Sequence, residues 1–198
     1  MGVGPSYGET PLDGEELDAL EPRLLEEFAE PPGKADVFDL ESTLLVGSRL
    51  ILLEEVDAGE LRVDDLLTVA FLKEWHRGLF AGIWTWAGKF RRTLLNIGSD
   101  PHLIETEVYV AMDNLRYQWR ETNVHNARQL GIATHAELVR IHPFTDGNGR
   151  ATRLMADLIF AAAQVEQSRR PHEWEYDWNL DKREYIRLLQ KFDENRDP

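Results

Sequence analysis

Two apolar helical patterns meet at one short loop, and this junction constrains the chain more than any other feature. Leu138, Val139 and Ile141 end the first pattern, while Leu154, Leu158, Ile159 and Ala162 form the inner face of the second. Pro143 disfavours helical backbone in the residue before it, so the first helix should stop at His142. Gly147, Asn148 and Gly149 make a turn, and the second helix should run from near Arg150 to about Gln164. The fold must therefore hold a loop, Pro143 to Gly149, against a helix N-terminus. There, free N–H groups and the positive end of the helix dipole face the loop.

The rest of the chain is also mostly helical in pattern. Residues 37–56 are long and apolar enough for a helix, with a buried strand over 50–56 as the alternative. Leu67, Phe71, Trp75, Gly78, Leu79 and Gly82 share one helix face, as do Ile104, Val108, Ala111, Leu115 and Trp119. Between these helices, Gly88 and the Gly98–Pro101 cluster bracket FRRTLLNI, which reads as a small hairpin or flap. Thr134 and Glu137 have capping-box spacing and would open the helix that ends at His142. EWEYDWNL, 173–180, reads as an aromatic-rich loop. Tyr185, Leu188, Leu189 and Phe192 mark a last amphipathic helix. The expectation is an all-α bundle with a β-hairpin flap. Residues 1–58 are expected to form an N-terminal arm, with one short helix near 13–29, and a helix; 59–198, including the C-terminal helix, are expected to form the main domain. Trp84, Trp86, Trp119, Trp174 and Trp178 are expected mostly in the core.

A chain of 198 residues can bury roughly 70% of its unfolded surface. It has no cysteine, so thiol catalysis, disulfides and cysteine-based zinc sites are excluded. A net charge of −14 argues against broad binding to nucleic acid, though not against a local basic pocket. No apolar run approaches the roughly 20 residues of a membrane span, and the N-terminus lacks a signal-peptide pattern. A cytoplasmic protein with no nucleic-acid or membrane partner is the expectation.

The junction itself reads HPFTDGNGRATR, residues 142–153. Gly147 and Gly149 remove side chains where a ligand would approach, and permit the positive φ angles of an anion nest. Arg150 and Arg153 share a face of the first helical turn, where the dipole disfavours cations; a polyphosphate would justify them. Asp146 offers a hard oxygen ligand for Mg²⁺. Asn148 can donate to a phosphate oxygen, and His142, with an ordinary pKa of about 6.5, suits a general base. Each has an ordinary structural reading when alone: a helix-end histidine, a turn, a solvated face. Within twelve residues they make one phosphate-handling site. There is no P-loop and no Gly-x-Ser-x-Gly elbow. His125, His135 and His142 are too loosely spaced for a zinc site.

These residues resemble the Fic family, whose motif HPFx(D/E)GNGRxxR matches His142 through Arg153 at every defined position. LKEWHRGLFAGIWTWAGKFR, 72–91, is similar to the family's helix before its flap, and the resemblance spans about residues 60–165. The chain as a whole resembles a compact bacterial subgroup often encoded on mobile elements. The resemblance implies transfer of AMP from ATP to a Ser, Thr or Tyr hydroxyl of a target protein. It assigns His142 as base, Asp146 as Mg²⁺ ligand, and Gly147, Asn148, Gly149, Arg150 and Arg153 as nucleotide-binding residues, with Phe144 as the loop's anchor. It implies a target-binding flap including Arg92, Thr93, Leu94, Leu95, Asn96 and Ile97. Phosphorylating members carry lysine where this chain has Gly149, which favours nucleotidyl transfer. No (S/T)xxxE(G/N) inhibitory pattern occurs, so a brake on Arg153 would come from a partner's glutamate, as in toxin–antitoxin pairs, or from an irregular acid such as those of the N-terminal arm. The alternatives are a catalytically quiet protein-binding module and a Fic-type transferase using another nucleotide or phosphocholine.

Overall fold

Three- and four-residue apolar spacing, broken by Gly and Pro, produces helices along nearly the whole chain. The computed structural model describes residues 12–28, 30, 32–122 and 124–195. The expected arm over the first eleven residues lies outside them. Two short helices, α1 (Gly14–Asp18) and α2 (Pro22–Glu27), stand where one was expected near 13–29. α3 (Lys34–Asp57) is continuous, so residues 50–56 are helix and not strand.

α4 (Val63–Leu66) leads into α5 (Val69–Phe80). α5 buries Leu72, Trp75, His76, Leu79 and Phe80. The expected face is partly corrected: Phe71 is half-buried, Gly78 is exposed, and the helix ends before Gly82. α6 (Ile104–Glu121) buries the face anticipated through Leu115, and half-buried Trp119 donates to Glu166 (2.9 Å).

α7 (Ala127–Ile141) opens on Asn126, eight residues before the expected cap at Thr134. Asn126 accepts from the Gln129 N–H (2.9 Å), and the Gln129 side chain accepts from the Asn126 N–H (3.1 Å). Thr134 is buried in mid-helix, and its hydroxyl donates to the Leu130 carbonyl (2.9 Å). α8 (Asn148–Ser168) begins two residues before Arg150 and extends past Gln164. α9 (Lys182–Asn195) anchors itself through Phe192 and through Tyr185, whose hydroxyl meets His135 Nε2 (2.8 Å); Leu188 is exposed.

α8 is the central element. It packs against α7 on one side and α3 on another, with α5 closing the loop end. Met155, Leu158 and Ile159 are fully buried on it. At about 1.5–3 kcal/mol per buried side chain, this packing holds the loop's downstream anchor rigid. The Trp75 indole N–H donates to the Ala151 carbonyl (3.0 Å), tying α5 to the first turns of α8.

The hairpin does not form. Isolated bridges join Leu20 with Trp84 and Phe90 with Phe144, and residues 91–98 carry no strand. Residues 92–98 are exposed and irregular, because no second strand lies beside them to pair their backbone. Trp174, 69% exposed, departs from the expected core placement. No helix of the described residues is long and apolar enough to cross a membrane.

Candidate active site

The loop between α7 and α8 is braced from within. The Phe144 N–H donates to Asn148 Oδ1 (2.9 Å), and Asn148 Nδ2 donates to the Phe144 carbonyl (2.8 Å). Asn148 is only 2% exposed. Its amide, expected to reach a phosphate, uses its oxygen and one N–H in closing the loop. Phe144 is fully buried and stacks on His76, with centroids 3.6 Å apart.

Gly147 caps α8 at φ 74°, in the left-handed region. A Cβ there would lie 2.6 Å from the Phe80 ring. Gly149 differs: it is helical, with nothing within 4 Å of where a Cβ would stand. Only Gly147 takes the positive φ expected of both. The helix has no side-chain cap, so the N–H groups of its first turn open toward the loop without intrahelical acceptors.

His142 ends α7 in the left-handed conformation, φ 53° and ψ 61°. A non-glycine residue rarely holds this geometry unless its surroundings enforce it. Its N–H donates to the Leu138 carbonyl (2.9 Å) and its own carbonyl accepts from Arg91 Nε (2.7 Å). Burial pushes the imidazole pKa down; the Val139 backbone and Asp146 oppose this, and the Arg91 cation adds to it. The ring is therefore neutral near pH 7, the form a base requires.

Residues 66–160 match the model of the Fic/DOC family, a span that contains the whole loop, α5, α6, α7 and most of α8. Those residues form a Fic/DOC domain. It is 29% identical over 164 residues to protein adenylyltransferase fic-1 of Caenorhabditis elegans, covering 77% of this chain. The chain spans 22–30% of the length of the curated relatives it matches. Its Fic fold is also that of the N-terminal Fic domain of a Bep effector from Bartonella quintana, with TM-score 0.61, 15% identity, 84% of this chain and 79% of that one. BepC from Bartonella tribocorum, crystallised with bound AMPPNP, gives TM-score 0.59 at 15% identity, covering 84% of this chain and 81% of that one.

The two arginines of the Fic motif part company. Arg150 donates to Glu41 of α3 and, at 3.4 Å, to Asp146. Glu41 is 4% exposed and also accepts from the Trp84 indole (2.8 Å). Arg153 instead lines a small cavity with Trp178, Lys182 and Tyr185. Asp146 is mostly exposed and its carboxylate borders a cavity of about 580 Å³, also lined by Glu41, Trp84, Trp86 and Arg150. One accessible carboxylate beside this open cavity fits Mg²⁺, which keeps most of its ligands as water and substrate oxygens.

Three residues that shape the site carry no spacing signal in the sequence. Glu41 is one. Arg91 is another. The third is His76: its Nδ1 accepts from the Gly88 N–H (3.0 Å), which fixes Nε2 as the donor to the Asp146 carbonyl (3.1 Å). It thus ties the Trp86–Gly88 turn to the Fic loop. The first is a glutamate on a helix more than 100 residues away, and no local pattern marks any of them.

Burial, as the main cause, lowers the pKa of His76 and of His135 to about 4 each. Unfolded, each titrates near 6.5. The unfolded chain therefore holds more protons between these values, and folding stability falls as pH drops. The contribution is complete above pH 6.5 and declines by roughly 3 kcal/mol per histidine toward pH 4. Thermal unfolding followed from pH 7.5 to 4.5 should show a steep loss of Tm below 6.5; a flat profile would refute their neutral burial.

Proposed function

We propose that this chain transfers AMP from ATP to a Ser, Thr or Tyr hydroxyl of a target protein, with His142 as general base. The observation that carries this reading is the half-buried His142 imidazole held at the mouth of a loop whose glycine-capped helix start offers free N–H groups. The hydroxyl oxygen attacks the α-phosphorus, its proton passes to His142, and pyrophosphate leaves in line. Negative charge gathers on the phosphate oxygens, where fixed amides and arginine stabilise it; removing one such donor typically costs about 3 kcal/mol. Gly149 leaves space for the α-phosphate, and Asp146 would hold Mg²⁺, which supplies charge neutralisation on the phosphates. The likeness to an AMPPNP-bound Fic protein supports ATP as donor. Segment 92–97 offers its exposed backbone to an extended target.

Two carboxylates bear on regulation. Glu41 neutralises Arg150 from within the chain, so a triphosphate must compete with it. Glu41→Gln preserves the side chain's shape and its acceptor for Trp84, and should tighten Mg-ATP binding about tenfold, roughly 1.4 kcal/mol. Thermal stabilisation by graded ATP measures this; unchanged or weaker binding would remove Arg150 from the phosphate site. Arg153 has no carboxylate partner among the described residues. It is the position a partner protein's glutamate would fill if the chain is the toxin-like half of a toxin–antitoxin pair. Incubation with α-labelled ATP and Mg²⁺ tests the main reading: label on this chain or on lysate protein is expected, and label released only as free nucleotide would refute it.

A further inference from the structure

Arg91 is 3% exposed, and all three bonds of its guanidinium end on backbone carbonyls. Nε donates to His142 (2.7 Å), Nη1 to Thr93 (2.8 Å) and Nη2 to Ser99 (2.6 Å). Its own backbone N–H donates to the Pro143 carbonyl (2.9 Å). One acceptor is thus the carbonyl of the proposed base. The other two are the feet of the exposed segment 93–99. A buried cation is costly unless its donors are satisfied, and the rigid fork of arginine meets three divergent acceptors that a lysine ammonium cannot match.

The downstream foot is held by further bonds. The Ser99 N–H donates to the Ile141 carbonyl (3.0 Å), one residue before His142. The Ser99 hydroxyl donates to Glu107 (2.7 Å), which also accepts from Arg140 (3.0 Å). Gly98 adjoins so closely that a Cβ there would come within 2.5 Å of the His142 Cβ. The loop tip is therefore free while its two feet, the proposed base and the end of α7 share one knot.

We propose that Arg91 is a positioning residue that couples the target-binding segment to the base. One guanidinium closes segment 93–99 and fixes the carbonyl of left-handed His142, so that target backbone and imidazole are held in register. This rests on the reading of His142 as base and of 92–97 as the target-facing segment. Its physical content is narrower: order in the segment and orientation of His142 change together.

Arg91→Met and Arg91→Lys, made in the full chain, test this. Three quantities are followed: amide hydrogen exchange of residues 93–99, the His142 ring resonances, and the rate at which α-labelled ATP marks the chain itself. Arg91→Met should speed exchange at least tenfold, shift the His142 ring signals and slow labelling ten- to a hundredfold, with thermal stabilisation by Mg-ATP retained. Arg91→Lys should recover part of all three effects together. Faster exchange with unchanged His142 signals, or recovery of one effect without the others, overturns the coupling. If Arg91→Met does not fold, Arg91→Lys against the parent chain decides by the same criterion. If the parent chain transfers no label, the proposed activity fails, while exchange and the ring signals still decide the coupling.

Discussion

Alanine in place of His142 should leave a folded protein that binds Mg-ATP and transfers almost no AMP. The imidazole is neutral near pH 7 because burial and the Arg91 cation disfavour its protonation, so it can accept a hydroxyl proton. General-base action is worth about 10²–10⁴ in rate. On the proposed reading the nucleotide's own contacts would come from the loop amides, Arg150 and the space over Gly149, none of which passes through the ring. The position has one complication, its φ of 53°. His142→Asn separates the two effects, since asparagine accepts left-handed backbone readily and offers no base. Both variants should keep the melting temperature within a few degrees of the parent and retain the ATP-dependent increase. Labelling within tenfold of the parent in either variant would remove His142 from the role.

The second large effect is on the loop. Gly147→Ala places a methyl group 2.6 Å from the Phe80 ring at a φ of 74°. Left-handed strain of about 1–2 kcal/mol adds to overpacking of about 1–3 kcal/mol. A loss of roughly 2–5 kcal/mol follows, or about 5–15 °C in Tm for a chain of this size. Gly149→Ala should behave oppositely. Nothing lies within 4 Å of that site and the residue is helical, so stability should hold or rise by up to about 1 kcal/mol. Mg-ATP binding should nevertheless weaken, because the new methyl projects into the space assigned to phosphate. Calorimetric unfolding with and without nucleotide separates these outcomes. Equal stability losses in the two variants would refute the division between a packing glycine and an access glycine.

The sequence disclosed what depends on local period and on backbone sterics. α5 through α9 follow from apolar spacing, and the stop at His142 follows from Pro143. It misled where one local pattern has two uses. Thr134 and Glu137 have the spacing of a helix start, yet Thr134 donates to Leu130 within a helix already under way. The true start, Asn126 with Gln129, carried an equivalent signature eight residues upstream of the box. FRRTLLNI has strand-like composition, but pairing needs a neighbour, and composition does not reveal one. Arg150 and Arg153 share a helix face by spacing, yet one reaches α3 and the other faces Trp178 and the start of α9, because long side chains follow their partners. Glu41, His76 and Arg91 act through contacts across 51 to 109 positions of chain. Such contacts leave no periodic trace.

The mutual bonds between Phe144 and Asn148 have a kinetic consequence. They make the curvature of the connector a property of the empty chain, so an arriving anion meets walls already in place. Capture of Mg-ATP in a stopped-flow experiment should proceed as one exponential whose rate climbs linearly with nucleotide concentration. Severing that clasp with Asn148→Ala should add a slow, concentration-independent phase, as the connector is obliged to find its shape after contact.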